Sequence, residues 1–370
     1  MNHLIVICNL ETLDKNKLST SSSKYECEFA FDMATKVNKV SVVSPNARCQ
    51  EETGNIELVP CAKADLTKNI SPLINSLNDI VSDDGNVVVH FFGYNPKLIF
   101  ALRKFRKQKH NVKISATVYD THLGELKNKP FVKQIIICLY FNLGLILLKK
   151  IDYLILFKKS AERRLKIKNK ALVVLPSVNP LEIKPYTPTF NSHIKFLYSG
   201  TLCEYNCIRQ LLNAFGKLNV TDAELEIFGD GPLEKYVCEN AEKDNRVSYF
   251  GRISNDRLNE YITKADVMIN LRSVPSVVND YAFPSKVVEY MKAGKAVIST
   301  DISEYEDFNK SVFLVKPLSE AQLLSVMSQI CENTGLINEK VNNSKLYLEK
   351  YHNNKTIAEQ IFCYLFADNS

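Results

Sequence analysis

Arg272, Ser285, Lys286 and Glu289 set a guanidinium, a hydroxyl, an ammonium and a carboxylate within one short stretch of sequence. An apolar run from Val267 to Leu271 reads as a buried strand that stops at Arg272, and a polar loop then leads to Pro284, Ser285 and Lys286, which open a helix. Pro284 suits the first turn, where its missing N–H would have no partner, and Ser285 supplies a candidate capping oxygen. The free N–H groups of that turn, the positive end of the helix dipole and Lys286 together make a site for an anion, most naturally a phosphate. Glu289 lies one turn further along and points into the same crevice, where a carboxylate can accept hydrogen bonds from ribose hydroxyls. Gly294 ends the helix, and Ala296 to Ser299 returns as the next buried strand. Such an edge suits a nucleotide diphosphate.

The elements that must position these residues follow an α/β pattern. In the first half, strands are predicted at His3 to Cys8, Val40 to Val43, Ile56 to Val59, Val87 to Phe92, Lys113 to Tyr119, Asp152 to Phe157 and Ala171 to Leu175. Helices are predicted at Tyr25 to Val37, Ile70 to Val81 and Pro96 to Lys107, with the Ser19 to Ser23 cluster in a loop at the sheet's carboxyl edge. This alternation predicts a doubly wound parallel sheet. Residues 177–192 carry Pro180, Pro185 and Pro188 without a clear period and read as a linker. Strands at Ile194 to Tyr198, Leu225 to Phe228, Val247 to Phe250 and Val312 to Val315 then join the two around Lys286, followed by helices at Ser319 to Cys331, Asn343 to Tyr351 and Thr356 to Phe366. At 370 residues, two domains of about 180 residues each are expected: 1–178, 193–350, and a terminal helix within 351–370 whose stripe Ile357, Ile361, Leu365 suits packing back on the first domain.

The net charge of +6 is concentrated in the first half. Arg103, Lys104, Arg106, Lys107, Lys109 and Lys113 form a cluster without an acidic partner, and Lys149, Lys150, Lys158, Lys159, Arg163, Arg164, Lys166, Lys168 and Lys170 form a second. A solvated face and an anionic membrane surface both explain such charge; nucleic acid does not, since no binding motif and no interleaved aromatic residues accompany it. Ile135 to Leu148 is almost wholly apolar between lysines, yet too short to span a bilayer, which leaves a buried helix or an interfacial segment touching lipid. The ten cysteines stand singly with no metal-ligand spacing, and the chain opens directly on a strand with no signal peptide, so a reduced cytoplasmic location is expected.

The run Phe283-Pro284-Ser285-Lys286, then Glu289-Tyr290-Met291, Gly294-Lys295 and Val297-Ile298, preceded by Asn270-Leu271-Arg272, resembles the donor-site signature of the retaining glycosyltransferases of family 4 in their bacterial polysaccharide-building branch. That resemblance implies the GT-B fold, with two Rossmann-like domains whose parallel sheets face a central cleft. It also implies a metal-independent transferase of hexosyl type that moves a sugar, with retention, from a nucleotide diphosphate sugar to a saccharide acceptor. No separate cofactor is implied, and no Asp-x-Asp motif stands where the donor would bind. Tyr119-Asp120-Thr121-His122 resembles the family's Tyr-Asp-x-His turn, which makes His122 the candidate contact to the transferred sugar and Asp120 the residue that fixes the turn. Ser199-Gly200-Thr201-Leu202 and Gly229-Asp230-Gly231-Pro232 resemble loops beside the nucleotide, and Val247 to Phe250 with Gly251 and Arg252 resembles the edge where the base packs. The implied donor-site set is Gly200, Thr201, Gly229, Arg252, Arg272, Tyr281, Phe283, Pro284, Ser285, Lys286 and Glu289, with no metal ligand.

Two departures qualify the resemblance. Many members place an Arg just after the first glycine and a Lys a few residues later, where this chain has Thr201 and Asn206; Arg272, Lys286 or Arg209 are then the remaining sources of positive charge. The family's paired glutamates stand eight residues apart, and that count back from Glu289 reaches Tyr281, beside Asp280. Members with the Phe-Pro-Ser-Lys variant commonly lack the first glutamate. The expected partners are the nucleotide-sugar donor, a lipid-linked saccharide acceptor and the anionic cytoplasmic face of the membrane, in assembly of a capsule, O-antigen or exopolysaccharide. A non-catalytic nucleotide-sugar or glycan-binding module and a nucleotide-sugar epimerase of the same fold are the alternatives.

Overall fold

Continuous Val-, Ile- and Leu-rich runs become the buried strands of two parallel sheets, as expected of strands covered on both faces. The structure is a computed structural model that describes residues 1–18, 20–61, 64–65, 69–119, 130–167, 171–185, 193–273, 284–300 and 306–367. In chain order the strands are β1 (Asn2–Ile7), β2 (Lys39–Ser44), β3 (Glu51–Thr53), β4 (Ile56–Pro60), β5 (Asn86–Phe92), β6 (Val112–Val118), β7 (Tyr153–Leu156), β8 (Ala171–Val173), β9 (Ile194–Ser199), β10 (Ala223–Phe228), β11 (Val247–Tyr249), β12 (Val267–Asn270), β13 (Ala296–Thr300) and β14 (Phe313–Val315). The helices are α1 (Ser21–Ala34), α2 (Ser71–Ile80), α3 (Pro96–Gln108), α4 (Phe131–Leu148), α5 (Lys159–Leu165), α6 (Ile208–Gly216), α7 (Glu234–Lys243), α8 (Asn255–Lys264), α9 (Ser285–Lys292), α10 (Glu306–Ser311), α11 (Glu320–Glu332), α12 (Gly335–Tyr351) and α13 (Asn354–Phe366).

The chain divides into two compact units. In the first, built on residues 1–177 with α13, the strand order is β3-β4-β2-β1-β5-β6-β7-β8, parallel throughout except for the β3–β4 hairpin. One sheet face is covered by α1 and α13 through Phe29, Met33, Ile357, Ile361 and Leu365, the other by α2, α3 and α5 through Leu77, Leu102, Phe105 and Leu165. The order reverses direction between β1 and β5, so the crevice outside their carboxyl ends is the place where such a sheet binds ligands. The second unit has the order β11-β10-β9-β12-β13-β14, all parallel, with its reversal between β9 and β12. Arg272 and Gly200 therefore emerge side by side from the ends of the two central strands.

Several expectations are corrected. Ser21 to Ser23 are helix, not loop: α1 starts at Ser21 because the Thr20 hydroxyl accepts from the Ser23 N–H, an N-cap that brings the helix forward, and it ends at Ala34. The hairpin strand β3 and helix α5 carry too little apolar periodicity to be read from sequence, and α12 begins at Gly335 rather than near Asn343. The start of the proline-rich stretch is not a free linker. Val178 donates to the His352 carbonyl, Lys184 donates to the Lys292 carbonyl at 2.8 Å, and Glu182 pairs with Lys292.

The first basic cluster does have acidic partners. Arg106 grips both oxygens of Asp152 at 2.5 and 2.6 Å, and Lys109 meets Asp83 at 2.5 Å. Lys158 of the second cluster is buried, while Lys168 and Lys170 lie outside the described residues. The reading of 135–148 as a buried helix is also overturned. Of the eighteen residues of α4 only Gly144 and Leu148 are buried, and Phe131, Val132, Ile136, Leu139 and Ile146 are each more than half exposed. Phe141 packs on Tyr94 with ring centroids 5.5 Å apart, the Tyr140 hydroxyl donates to Asn95 at 3.1 Å, and a side chain at Gly144 would collide with the Tyr94 carbonyl. One side of α4 is thus docked on the start of α3, and the other is an open apolar face.

Candidate functional site

The second unit gathers its ligand-facing residues at the carboxyl ends of β9, β10 and β12. The loop after β9 and the loop after β10 lie backbone on backbone. Gly200 donates to the Phe228 carbonyl at 3.0 Å, Leu202 donates to the Asp230 carbonyl at 2.8 Å, and Leu233 donates to the Leu202 carbonyl at 2.9 Å. Gly229, at φ +127°, permits this approach: a Cβ there would stand 1.9 Å from the Gly200 carbonyl oxygen. Its glycine is therefore required by packing, which explains the residue without any ligand.

Lys286, in the first turn of α9, reaches into this loop and donates to the Ser199 carbonyl at 2.8 Å, and a Cβ at Gly200 would sit 3.1 Å from its Nζ. Burial is the main cause that lowers the Lys286 pKa, and the like charge of Arg272 adds to it while Glu289 acts the other way. Those interactions place Arg272, Lys286 and Glu289 within one electrostatic neighbourhood. The Arg272 guanidinium lies 5.4 Å from the centre of the Tyr205 ring, and the Ser273 N–H donates to the Tyr205 carbonyl at 2.8 Å, so the strand end is held where it leaves β12.

The start of α9 differs from the expectation in one respect. Pro284, buried, is the N-cap and Ser285 is the exposed first helical residue; among the described residues no side chain caps the helix. The dipole of α9 is directed toward the same space as Lys286, which lies in its first turn. Glu289 is exposed one turn on, and Gly294, at φ +71°, closes the helix against the Lys184 carbonyl. Lys295 is structural: its buried Nζ donates to the Thr263 and Ala265 carbonyls at 2.8 and 2.7 Å, at the carboxyl end of α8.

Of the residues singled out from sequence, Gly200, Thr201, Arg272, Pro284, Ser285, Lys286 and Glu289 come together around one loop cluster, and Gly229 supports it. Thr201 offers its carbonyl to two donors, the Tyr198 hydroxyl at 2.9 Å and the Asn206 amide at 2.7 Å. Arg252 stands apart, its side chain 80% exposed and 3.7 Å from Asp230. Arg209 pairs with Glu204 at 2.7 Å and lies over the Tyr236 ring, which removes it from the list of free cations. Asp120, His122, Tyr281 and Phe283 lie outside the described residues. Sequence reasoning missed three rings: Tyr198, buried beneath the loop, Tyr205 beside Arg272, and Phe250, stacked on Phe228 at 4.8 Å with 40% of its surface open. An aromatic residue that follows a strand just before a Gly-containing turn, as Phe250 does between β11 and Gly251, is the signal that could have found the last.

Residues 193–333 match the family model described as glycosyl transferases group 1. No curated protein sequence matches the chain. Among solved structures, sucrose-phosphate synthase from Thermosynechococcus elongatus is similar at 16% identity and TM-score 0.71, with 100% of each chain covered. Anabaena HepE in complex with UDP-glucose is similar at 11% identity and TM-score 0.66, with 99% of each chain covered. WaaG, a glycosyltransferase involved in lipopolysaccharide biosynthesis, is similar at 14% identity and TM-score 0.63, covering 96% of this chain and 98% of that one. The chain has the GT-B fold, and the stretch similar to the glycosyl transferases group 1 model lies in the part of the chain that contains β9 to β13.

Proposed function

We propose that the protein is a retaining glycosyltransferase of hexosyl type that uses a nucleotide diphosphate sugar and acts without a metal. The observation that carries this reading is the convergence of Lys286, Arg272 and the start of α9 on the loop after β9, inside the stretch that matches the family model. Two cations and a helix dipole in a partly desolvated site stabilise a leaving diphosphate. Glu289, exposed one turn along, accepts from the ribose hydroxyls, and the open face of Phe250 offers a surface for the base. The bond from the anomeric carbon to the diphosphate oxygen breaks, and a bond to the acceptor oxygen forms on the same face. The acceptor proton passes to the departing phosphate, with His122 orienting the sugar and Asp120 holding its turn. HepE, with UDP-glucose bound, makes uridine diphosphate sugars the first donors to test.

The acceptor is a lipid-linked saccharide in surface polysaccharide assembly, and the protein works at the inner face of the cytoplasmic membrane. What supports this is α4, together with the involvement of WaaG in lipopolysaccharide biosynthesis. By length and composition alone α4 could cross a membrane. It is, however, the crossover from β6 to the neighbouring parallel strand β7 and is docked on α3, so it would lie along an interface rather than through it. Lys133, Lys149, Lys150, Lys104 and Lys107 are exposed on α4, just beyond its end and on α3, and neither helix contains an acidic residue. Anionic headgroups match that combination.

One observation favours the non-catalytic alternative: Asn206, where many family members have a cation, ties down the Thr201 carbonyl instead of facing an anion. Incubation of the protein with UDP- and GDP-sugars, with and without saccharide acceptors, separates the readings. Transfer that requires acceptor supports the transferase, isomerised donor without acceptor supports an epimerase, and binding without turnover supports the module.

A further inference from the structure

A pocket of about 220 Å³ lies in the first unit between the last turn of α4, the start of β7 and the end of α5. Both helices run into the amino ends of strands, β7 and β8, so the pocket is at the opposite end of the sheet from the carboxyl edge where such folds hold their ligands. Its floor is apolar: Leu148, Leu154 and Ile167 are buried and pack with Ile151 into the core on that face of the sheet. Its rim is charged, with exposed Lys149 at the end of α4, exposed Lys166 at the end of α5, and Asp152 just before β7.

The charges decide what the pocket takes. Asp152 is already engaged: Arg106 meets its two oxygens at 2.5 and 2.6 Å and the Ile114 N–H donates to Oδ2 at 2.9 Å, so its charge is offset on the spot. The carboxyl ends of α4 and α5 each present roughly half a negative charge, which together offset about one of the two lysines. About one positive charge is left on the wall. Residues 168–170, outside the described residues, are Lys, Asn and Lys, so they add no acid to this part of the chain. A cation above an apolar floor suits a single oxyanion carried on a chain of carbons. The volume, under the ~300 Å³ at which small-molecule pockets usually begin, keeps that chain short.

Lys166 is held in left-handed backbone, at φ 51° and ψ 42°, where its N–H closes α5 on the Arg163 carbonyl at 3.1 Å. Helices that end this way usually do so on glycine, because a Cβ strains the conformation. The fold therefore gains nothing from a lysine here, whereas the pocket gains an ammonium at its rim. We propose that this pocket binds an amphiphilic monoanion, its singly charged oxyanion head on Lys149 and Lys166 and the first few carbons of its chain on Leu148, Leu154 and Ile167. Heads of this kind occur on membrane phosphodiesters and on soluble acyl acids. The site does not rest on the glycosyltransferase reading.

The test is saturation-transfer NMR on the full chain with hexanoate as the probe, beside acetate as the head alone, hexanol as the chain alone and hexylammonium as the opposite charge. Hexanoate is expected to bind about tenfold more tightly than any of the three. Lys149→Ala and Lys166→Gly are each expected to weaken it about threefold, and the two together about tenfold. Lys166→Gly is the decisive variant: glycine suits the left-handed residue, so the melting temperature should hold or rise while binding falls. Vesicles then identify the source. Displacement of hexanoate by phosphatidylcholine vesicles that contain phosphatidylglycerol, and not by phosphatidylcholine alone, assigns the head to a lipid, and no displacement by either assigns it to a soluble acid. The proposal is overturned if hexanoate does not bind, if hexylammonium binds as well as hexanoate, or if binding survives both substitutions. A parent chain that fails to bind UDP would remove the nucleotide reading and leave this pocket standing.

Discussion

Replacing Glu26 by Gln should change stability in a way that depends on pH, and the sign follows from the burial of the carboxyl. Burial pushes its pKa up from the ordinary 4.5 to about 7, while the hydrogen bonds from Tyr119 and Asn9 act the other way. A raised acid pKa means that the folded state holds a proton which the unfolded chain has released. The unfolded chain therefore binds fewer protons between about pH 4.5 and 7, and stability falls as pH rises through that window. The penalty is absent at about pH 4 and complete by about pH 8, where it amounts to about 3 kcal/mol. Gln carries no such penalty but sets an amide NH2 against one of the two donors, at a cost of about 1 kcal/mol at any pH. Glu26→Gln should then be slightly less stable than the parent near pH 4.5 and about 2 kcal/mol more stable at pH 8. The chain has no tryptophan, so urea unfolding is followed by far-UV circular dichroism at both pH values. Because the chain has two units, only the transition of the first is expected to move. A parent–variant difference that is the same at both pH values would refute the argument, since Glu26 would then ionise alike in the folded and unfolded chain.

Gly229→Ala should destabilise the second unit by about 3 kcal/mol or more, because it adds a collision with the Gly200 carbonyl to a strained backbone; a melting temperature within a degree of the parent would contradict this. Lys295→Ala should cost about 2–4 kcal/mol in urea by stripping two carbonyls at the end of α8 of their donor, yet leave UDP affinity within about twofold. A weakened nucleotide with unchanged stability would reverse the assignment of Lys295. The pair Leu139→Glu and Leu143→Glu, on the exposed face of α4, should abolish flotation with anionic vesicles while shifting stability by no more than about 0.5 kcal/mol each. Flotation unaffected by both, or absent in the parent, would remove the membrane contact.

The parts that were legible in the sequence are those that depend on local pattern. Val267 to Leu271 and Ala296 to Ser299 read as buried strands because they are mostly apolar and carry no charge, and Gly294 read as a helix end because only glycine takes its φ of +71° without strain. The α/β alternation followed from the same signals. What was hidden depends on contacts far apart in sequence or on direction. The Arg106–Asp152 pair joins residues 46 apart, which no window can see. An apolar helix such as α4 has no periodicity to say which side is covered, so its open face emerges only once Tyr94 and Asn95 are seen against it. Glu26 looks like one more charged residue on an amphipathic helix. Only the fold shows that it turns toward the ends of β1 and β6.

If the loop after β9 and the start of α9 bind a nucleotide diphosphate, titration calorimetry of UDP and UDP-glucose against the parent, Lys286→Ala and Glu289→Ala will show it. The parent should bind saturably, with a stabilisation of about 2.7 kcal/mol at a hundredfold excess over Kd. Each variant should lose about tenfold or more, through the diphosphate for Lys286 and the ribose for Glu289. Equal affinity in all three proteins would contradict that placement.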